Sequence, residues 1–458
     1  MFTDHSTDDG IVADHVAAPM AEPSFHLDVL DELTFEADTD GAVPLASLPD
    51  NRYPYVYPRD VASITRAWLA ALEAGVRPDA CRNRIVAAAR FFAAVQSDGW
   101  WYQRYALDGT DTSIYQQEDN VAHGIRVLAH AIQAAATCDD LARLGDGSPA
   151  DEPFLETLVD RIGNAVAVLR TDLYDANAHL LESTTSIHEG RIESGYTLWV
   201  NCAALAALGQ AADALETVAA ADEVAIDGVA TVRDRIDSFR TLLESGVERS
   251  FAVEGMAVPR RYTPEGERDE RPDITLFAPY YFGLEDLFGE HATRAATRAA
   301  SSLEDPRLGG LQRFRGFYRD FDVHQHGGNG PWMQYTAWHA QFRFDQGERG
   351  HGDRVLATVT HHADEDGTIP EHLSTRERFE QFVEREWDTG LDYEKEFDDD
   401  VLRDVPQDRI VEELGHMQQA YDEMAVALED QEVISFAEPL AWCHAEFLVA
   451  LLRREHSR

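Results

Sequence analysis

The strongest constraint on the fold is a helix with no polar face. The stretch 198-LWVNCAALAALGQAADAL is apolar nearly all the way round, so it must be buried on every side. Apolar periodicity places this helix at 196–219 and others at 60–75, 79–97, 118–137, 153–170, 222–245, 273–286, 289–303, 331–346, 350–364 and 438–453. Pro78, Gly99, Pro153, Pro272, Pro306 and Gly330 punctuate the series. The helices come in pairs joined by short turns, and long loops follow alternate members. One fully buried member per pair predicts an inner ring wrapped by an outer ring, which is an all-α, (α/α)6 toroid over 51–458. No strict sequence repeat accompanies it.

Two segments stand apart. Residues 1–50 read as an acidic arm to about residue 27, then a lead-in of strands or turns from Phe25 to Asp50 around Gly41 and Pro44. The segment 374–432 is dense in charge, and its part 407–429 reads as an exposed amphipathic helix. A solvated helical insertion is the expectation there; a lid or an oligomer contact are the other uses.

Charge excludes two classes of function. Lys plus Arg number 39 against 84 Asp plus Glu, a formal net charge of −45. Such a surface repels phosphates instead of releasing their counterions, and it disfavours anionic membranes equally. Lys395 is the only lysine, and the acidic residues recur along the whole chain. This pattern reads as the solvated shell of a protein from a salt-loving, haloarchaeal-type host. No apolar run is expected to span a membrane, and MFTDHSTDDG has neither the basic nor the apolar region of a signal peptide. Cys81, Cys138, Cys202 and Cys443 form no CxxC pair and suit reduced thiols. A cytoplasmic setting is therefore expected.

In a toroid of this kind, the loops at one end of the inner helices form the pocket. Here they are 53-YPYVYPRD, 99-GWWYQRYALDG, 115-YQQED, 186-SIHEGRIESGY, 329-NGPW and 366-DGTIPEH. Aromatic faces stack on the C–H face of a pyranose, and carboxylates and arginine forks take its hydroxyls. Hydrolysing a glycosidic bond needs two facing carboxyls, one to protonate the leaving oxygen and one to attack or to activate water. Glu189 and Glu371 are the best pair: the first lies in a loop just ahead of the buried helix, and the second follows a turn fixed by Gly367 and Pro370.

The stretch YPYVYPRD resembles the Y-x-Y-V-W-P-R-D hallmark of glycoside hydrolase family 15, which includes glucoamylases, glucodextranases and trehalases. The segments 99-GWWYQRYALDG, 116-QQED, 187-IHEG with 195-GY, 328-GNGPW, 366-DGTIPEH and 439-PLAWCHAEF follow in the family's order and cover nearly the whole chain. The resemblance implies an (α/α)6 barrel and hydrolysis of α-glucosidic bonds with inversion, releasing glucose from the non-reducing end of malto-oligosaccharides or related α-glucans. It implies Glu189 as general acid and Glu371 as general base, about 6.5–9.5 Å apart so that a water fits between them. Arg59 and Asp60 would hold sugar hydroxyls, Trp101 and Trp332 would be sugar-facing walls, and Asp119 would orient neighbouring loops. No cofactor is called for, and the partner is an oligosaccharide or α-glucan.

The departures cluster beside the acid. The family's W-E-E is His188-Glu189-Gly190 here, so the leaving-group side is altered and the acid's surroundings are more polar. A trehalase or isomalto-type specificity, or a sugar-binding paralogue without turnover, are the alternatives that this change motivates. His372 stands where the family has glutamine. His324, His326, His361, His362 and Asp364 match no ligand spacing, and metal catalysis is not expected.

Overall fold

A computed structural model describes residues 19–138, 141, 144, 154–188, 194–221, 226–314, 330–387, 406–427 and 431–457. Among these residues the helices are α1 (Pro23–Glu32), α2 (Pro58–Glu73), α3 (Pro78–Val95), α4 (Asp119–Thr137), α5 (Phe154–Val168), α6 (Leu198–Ala220) and α7 (Val229–Phe251). They continue as α8 (Ala278–Tyr281), α9 (Glu290–Leu303), α10 (Met333–Asp345), α11 (Arg349–His361), α12 (Arg376–Phe382), α13 (Gln407–Ala427) and α14 (Ala441–His456). A 3-10 turn at Ile274–Phe277 leads into α8.

The inner ring runs α2, α4, α6, α8, α10, α14 and closes back on α2. Each member has an outer partner: α3, α5, α7, α9, α11 and α1 in turn. The chain is an (α/α)6 toroid, as the helix pattern predicted. Burial explains the sorting. In α4, α10 and α14 whole turns are inaccessible on every side. The outer α7 buries only Val229, Ile236, Phe239, Leu243, Gly246, Val247 and Phe251, a single stripe. Helix α9 does the same with Ala292, Ala295, Ala296, Ala299, Ala300 and Leu303. Helix α6 is long and apolar enough to cross a membrane, against expectation, but here it is an inner helix with most of its length buried in protein.

Three elements differ from the sequence reading. The lead-in contains α1, which packs on α14 and completes the sixth pair; a hairpin follows, of β1 (Thr34–Glu36) and β2 (Ala42–Pro44). The expected helix 273–286 is interrupted: Pro279 falls in it and Gly283 takes a positive φ of 68°. Finally, the charged segment is an excursion zipped at its base. Short strands β3 (Tyr174–Asp175), β4 (Leu180–Leu181) and β5 (Tyr196–Thr197) flank α6 on its N-terminal side, and a four-stranded sheet is ordered β9-β8-β7-β6, from β6 (Leu311–Gln312), β7 (Pro331–Trp332), β8 (His372–Thr375) and β9 (Val433–Phe436). Strands β8 and β9 pair antiparallel from His372↔Phe436 to Thr375↔Val433, so the chain leaves and re-enters the toroid at neighbouring points.

Trp101 lies in this core and does not face the pocket. It is wholly buried, its Nε1 donates to the Phe92 carbonyl at 2.8 Å, and its ring lies against α4 at Gly124. A Cβ on Gly124 would stand 2.1–2.6 Å from the indole. Propensity alone favours alanine over a helix-interior glycine by about 1 kcal/mol. We expect the opposite for Gly124→Ala, a loss of about 1–3 kcal/mol from overpacking. The check is the urea midpoint; a rise would show that the indole moves aside freely.

Candidate functional site

The inner helices all begin at one end of the toroid, and the pocket lies there. Arg59 and Asp60 line it from the first turn of α2, Gln334 and Tyr335 from that of α10, and Trp442 from that of α14, with Glu371 and Trp332 beside them. Pro58 at the first position of α2 supplies a preset φ where the missing N–H costs nothing. Each helix N-terminus carries roughly half a positive charge, so carboxylates at Asp60 and Asp119 are placed where that field favours them.

Arg59 is held from behind. Its Nε donates to Asp119 Oδ2 at 2.9 Å, and its Nη2 donates to Asp119 Oδ1 at 3.3 Å and to Gln117 Oε1 at 3.1 Å. Asp119 Oδ2 also accepts from Trp199 Nε1 at 2.9 Å. Burial works to raise the Asp119 pKa, but the Arg59 charge and the contacts to Arg59 and His123 outweigh it and hold the carboxyl well below the usual range. Burial drives His123 down to about 4, so it stands neutral beside Asp119. Asp119 therefore aims Arg59 and ties α2, α4 and α6 together without lining the pocket itself.

The backbone of Glu371 is fixed on both sides. Its N–H donates to the carbonyls of Phe436 (2.9 Å) and Ala437 (3.2 Å), and its carbonyl accepts from Met333 N–H at 2.9 Å. The preceding turn has Gly367 at φ 86°, as its sequence indicated. Ile369 N–H donates to His444 Nε2 at 3.0 Å. His26 Nε2 bonds the Met20 carbonyl at 2.9 Å, so that nitrogen carries the proton; His26 Nδ1 then accepts from His444 Nδ1–H at 3.0 Å. This leaves both rings neutral, and burial lowers both pKa values, that of His26 to about 4. Helix α1 thus reaches the loop of Glu371 through two imidazoles.

Next to Glu371, His372 pairs across β8 with both Trp332 and Phe436. Its ring stacks between theirs, at centroid distances of 4.3 and 4.1 Å, and its Nδ1 lies 3.3 Å from Glu371 Oε2. The Arg313 guanidinium sits 4.9 Å above the Trp332 ring. Arg313 Nε donates to His188 Nδ1 at 3.0 Å, and His188 Nε2–H donates to Asp273 Oδ2 at 3.1 Å; Arg260 Nε bonds the same oxygen. His188 is therefore a buried clamp. It fixes Arg313 on Trp332, and its polar atoms are turned into an ion network. Glu189 and Gly190 lie outside the described residues. Ile187 lines the pocket, which brings the chain within two residues of Glu189.

The structure thus brings Arg59, Asp60, Trp332 and Glu371 to one pocket, puts Asp119 behind them and places Trp101 elsewhere. Sequence reasoning missed Arg313, for which no local signal exists. It also missed Glu413, His416 and Met417 of α13, which share one face at helical spacing and line the same pocket. Of the metal candidates, His361 and His362 pack edge to face at the end of α11, and His362 Nε2 bonds the Leu308 carbonyl. His324 and His326 lie outside the described residues. Among the described residues no group of three or more His, Cys, Asp or Glu is arranged to hold a metal.

No sequence-family profile and no curated protein matches the chain. Solved structures do match in fold. A glycosidase variant in complex with glucose aligns over 98% of this chain and 99% of its own, with a TM-score of 0.57 at 16% identity. The glucoamylase from Saccharomycopsis fibuligera aligns over 100% and 98%, with a TM-score of 0.57 at 14% identity. A bacterial glucoamylase complexed with acarbose covers 95% of this chain, which spans 55% of its length, with a TM-score of 0.56 at 13% identity. At these identities the likeness is one of fold.

Asp119→Asn keeps an oxygen for Trp199 but removes the buried negative charge that Arg59 Nε and Nη2 bond. We expect a stability loss of about 3–5 kcal/mol. Combining it with Arg59→Gln should recover part of that loss, because the two changes share one interaction. Denaturant midpoints of the two single variants and the double variant test this, and strict additivity would refute the coupling.

Proposed function

We propose that this protein is a glycoside hydrolase that removes glucose from the non-reducing end of an α-linked oligosaccharide with inversion at the anomeric carbon. The observation that carries the reading is Glu371: a carboxylate with its backbone fixed on both sides, facing a pocket whose other groups include four arginines, Asp60, Glu413 and aromatic rings. A pyranose suits those groups. Its C–H faces suit aromatic side chains that line the pocket, such as Tyr57 and Trp442, and its hydroxyls meet Asp60 and Arg59.

In this reading Glu371 takes a proton from a water while that oxygen attacks C1. The bond from C1 to the leaving oxygen breaks on the opposite face, and Glu189 gives that oxygen its proton. An α-glucoside then yields β-glucose. Arg59, oriented by Asp119, holds the ring still while the charge at C1 develops, and the stacked Trp332–His372–Phe436 rings keep the strand after Glu371 from shifting. Positioning of this kind matters because a misplacement of about 1 Å costs on the order of 100-fold in rate. The acidic surface makes concentrated salt the proper assay medium.

Glu371→Gln keeps the shape of the side chain and removes the base. We expect hydrolysis to fall by roughly 100- to 10,000-fold, the usual worth of a positioned general base. NMR of the first product from the wild-type protein should show β-glucose. Glucose release by Glu371→Gln at the wild-type rate would sink the assignment.

A further inference from the structure

Helix α13 does not belong to the toroid, yet three of its side chains line the pocket. Glu413, His416 and Met417 face the cavity that also holds Arg59, Asp60, Trp332 and Glu371. The first turns of three inner helices, α2, α10 and α14, line that cavity. Helix α13 is tied to the loops beside the cavity, through Arg104 and the Ser113 carbonyl.

The helix is docked at several points. Both terminal nitrogens of Arg104 donate to the Glu413 carboxylate, at 3.0 and 2.7 Å. Arg104 itself is fixed by its Nε bond to the Thr112 carbonyl (3.1 Å) and lies over the Tyr55 ring at 4.3 Å. Arg409 Nη1 donates to the Ser113 carbonyl at 3.3 Å. One and two turns beyond Glu413, Met417 and Tyr421 are buried with Phe379, Phe382, Ile434 and Phe436 in an apolar cluster of their own. Trp387 packs on Tyr421 at 4.6 Å and donates to Gln418 Oε1 at 3.0 Å. The cluster includes Phe436, whose ring stacks on His372 beside Glu371. Undocking α13 would break a bidentate ion pair and expose this cluster in one step, so the helix is a fixed wall.

The space it leaves is small. The cavity volume is about 90 Å³, whereas pockets that enclose drug-sized ligands hold roughly 300–1,000 Å³. The wall also has the wrong surface for a long chain. Glu413 and His416 present polar groups that suit the hydroxyls of one ring, and they do not form an aromatic shelf along which several sugars could stack.

We propose that α13 is the specificity wall of this site, with Glu413 and His416 as the residues that meet the leaving group and restrict it to a single sugar or a smaller aglycone. The proposal rests on the hydrolase reading above and narrows its substrate class to disaccharides and small α-glucosides. The feature is built by the excursion between β8 and β9, not by the toroid.

The test compares kcat/KM for an α-linked disaccharide and the heptasaccharide of the same linkage, in the maltose and isomaltose series. It also compares their binding to Glu371→Gln by calorimetry. The disaccharide should be preferred at least tenfold in both measurements. His416→Ala should narrow that preference by fivefold or more, and Glu413→Gln, which weakens the docking, should act in the same direction. Equal kcat/KM for the two lengths would overturn the wall and leave the hydrolase standing. Preferential binding of the disaccharide without turnover by the wild-type protein would support the wall and overturn the hydrolase. Neither binding nor turnover of any of these sugars would overturn both.

Discussion

A helix enclosed on every side can carry an ionised group only where a partner is buried with it, and the inner ring is organised around that requirement. Two carboxylates meet it at different depths. Asp119 joins α2, α4 and α6 through Arg59 and Trp199. Glu446, on α14, bonds Arg66 of α2 and accepts from Tyr281 (3.0 Å) of α8 and from Gln341 Nε2 (2.8 Å) of α10. Taken together, the two carboxylates touch every inner helix. Ion pairs of this kind contribute little net stability against apolar replacements, but removing one partner is expensive. Their physical effect is to fix the relative positions of helices whose apolar surfaces alone would allow sliding.

That fixing is what makes a site possible. The first turns of α2, α10 and α14 project side chains toward a common centre, and no loop has to reach across the molecule to supply Arg59, Asp60, Tyr335 or Trp442. Glu371 is the exception, because it precedes a strand. Its anchoring is correspondingly elaborate: carbonyls of β9, the amide of Met333 and the His444–His26 relay each hold the loop from a different direction. The relay also gives α1 a place in the site's support, since a helix near the start of the chain packs against the last one.

The helix pattern was legible because a fully apolar helix such as α6 has few possible environments, and the loop motifs were legible because aromatic and charged residues are costly to collect without use. What escaped the sequence follows from specific contacts. Trp101 resembles a pocket residue by its neighbours, yet Gly124 on α4 makes room for its ring within the core. Arg313 enters the pocket only through His188, which lies 125 positions earlier in the chain. Helix α1 is short, and its apolar face acquires meaning only once α14 is beside it. Charge density in the 374–432 segment suggested a solvated insertion. The six side chains of that cluster come as three short pairs, Phe379 with Phe382, Met417 with Tyr421 and Ile434 with Phe436, which lie far apart in the chain.

Charge is distributed in two ways that serve different ends. The chain as a whole is at −45, while Arg52, Arg59, Arg104 and Arg313 gather at the pocket among Asp60, Glu371 and Glu413, leaving it locally close to balance. A strong net field slows the approach of like-charged ligands and has no such effect on neutral ones. At low ionic strength that field would repel a sugar phosphate and leave a neutral sugar unaffected, whereas in concentrated salt screening within about 3 Å removes the difference. An uncharged ligand of the kind proposed above is compatible with the acidic shell at any ionic strength.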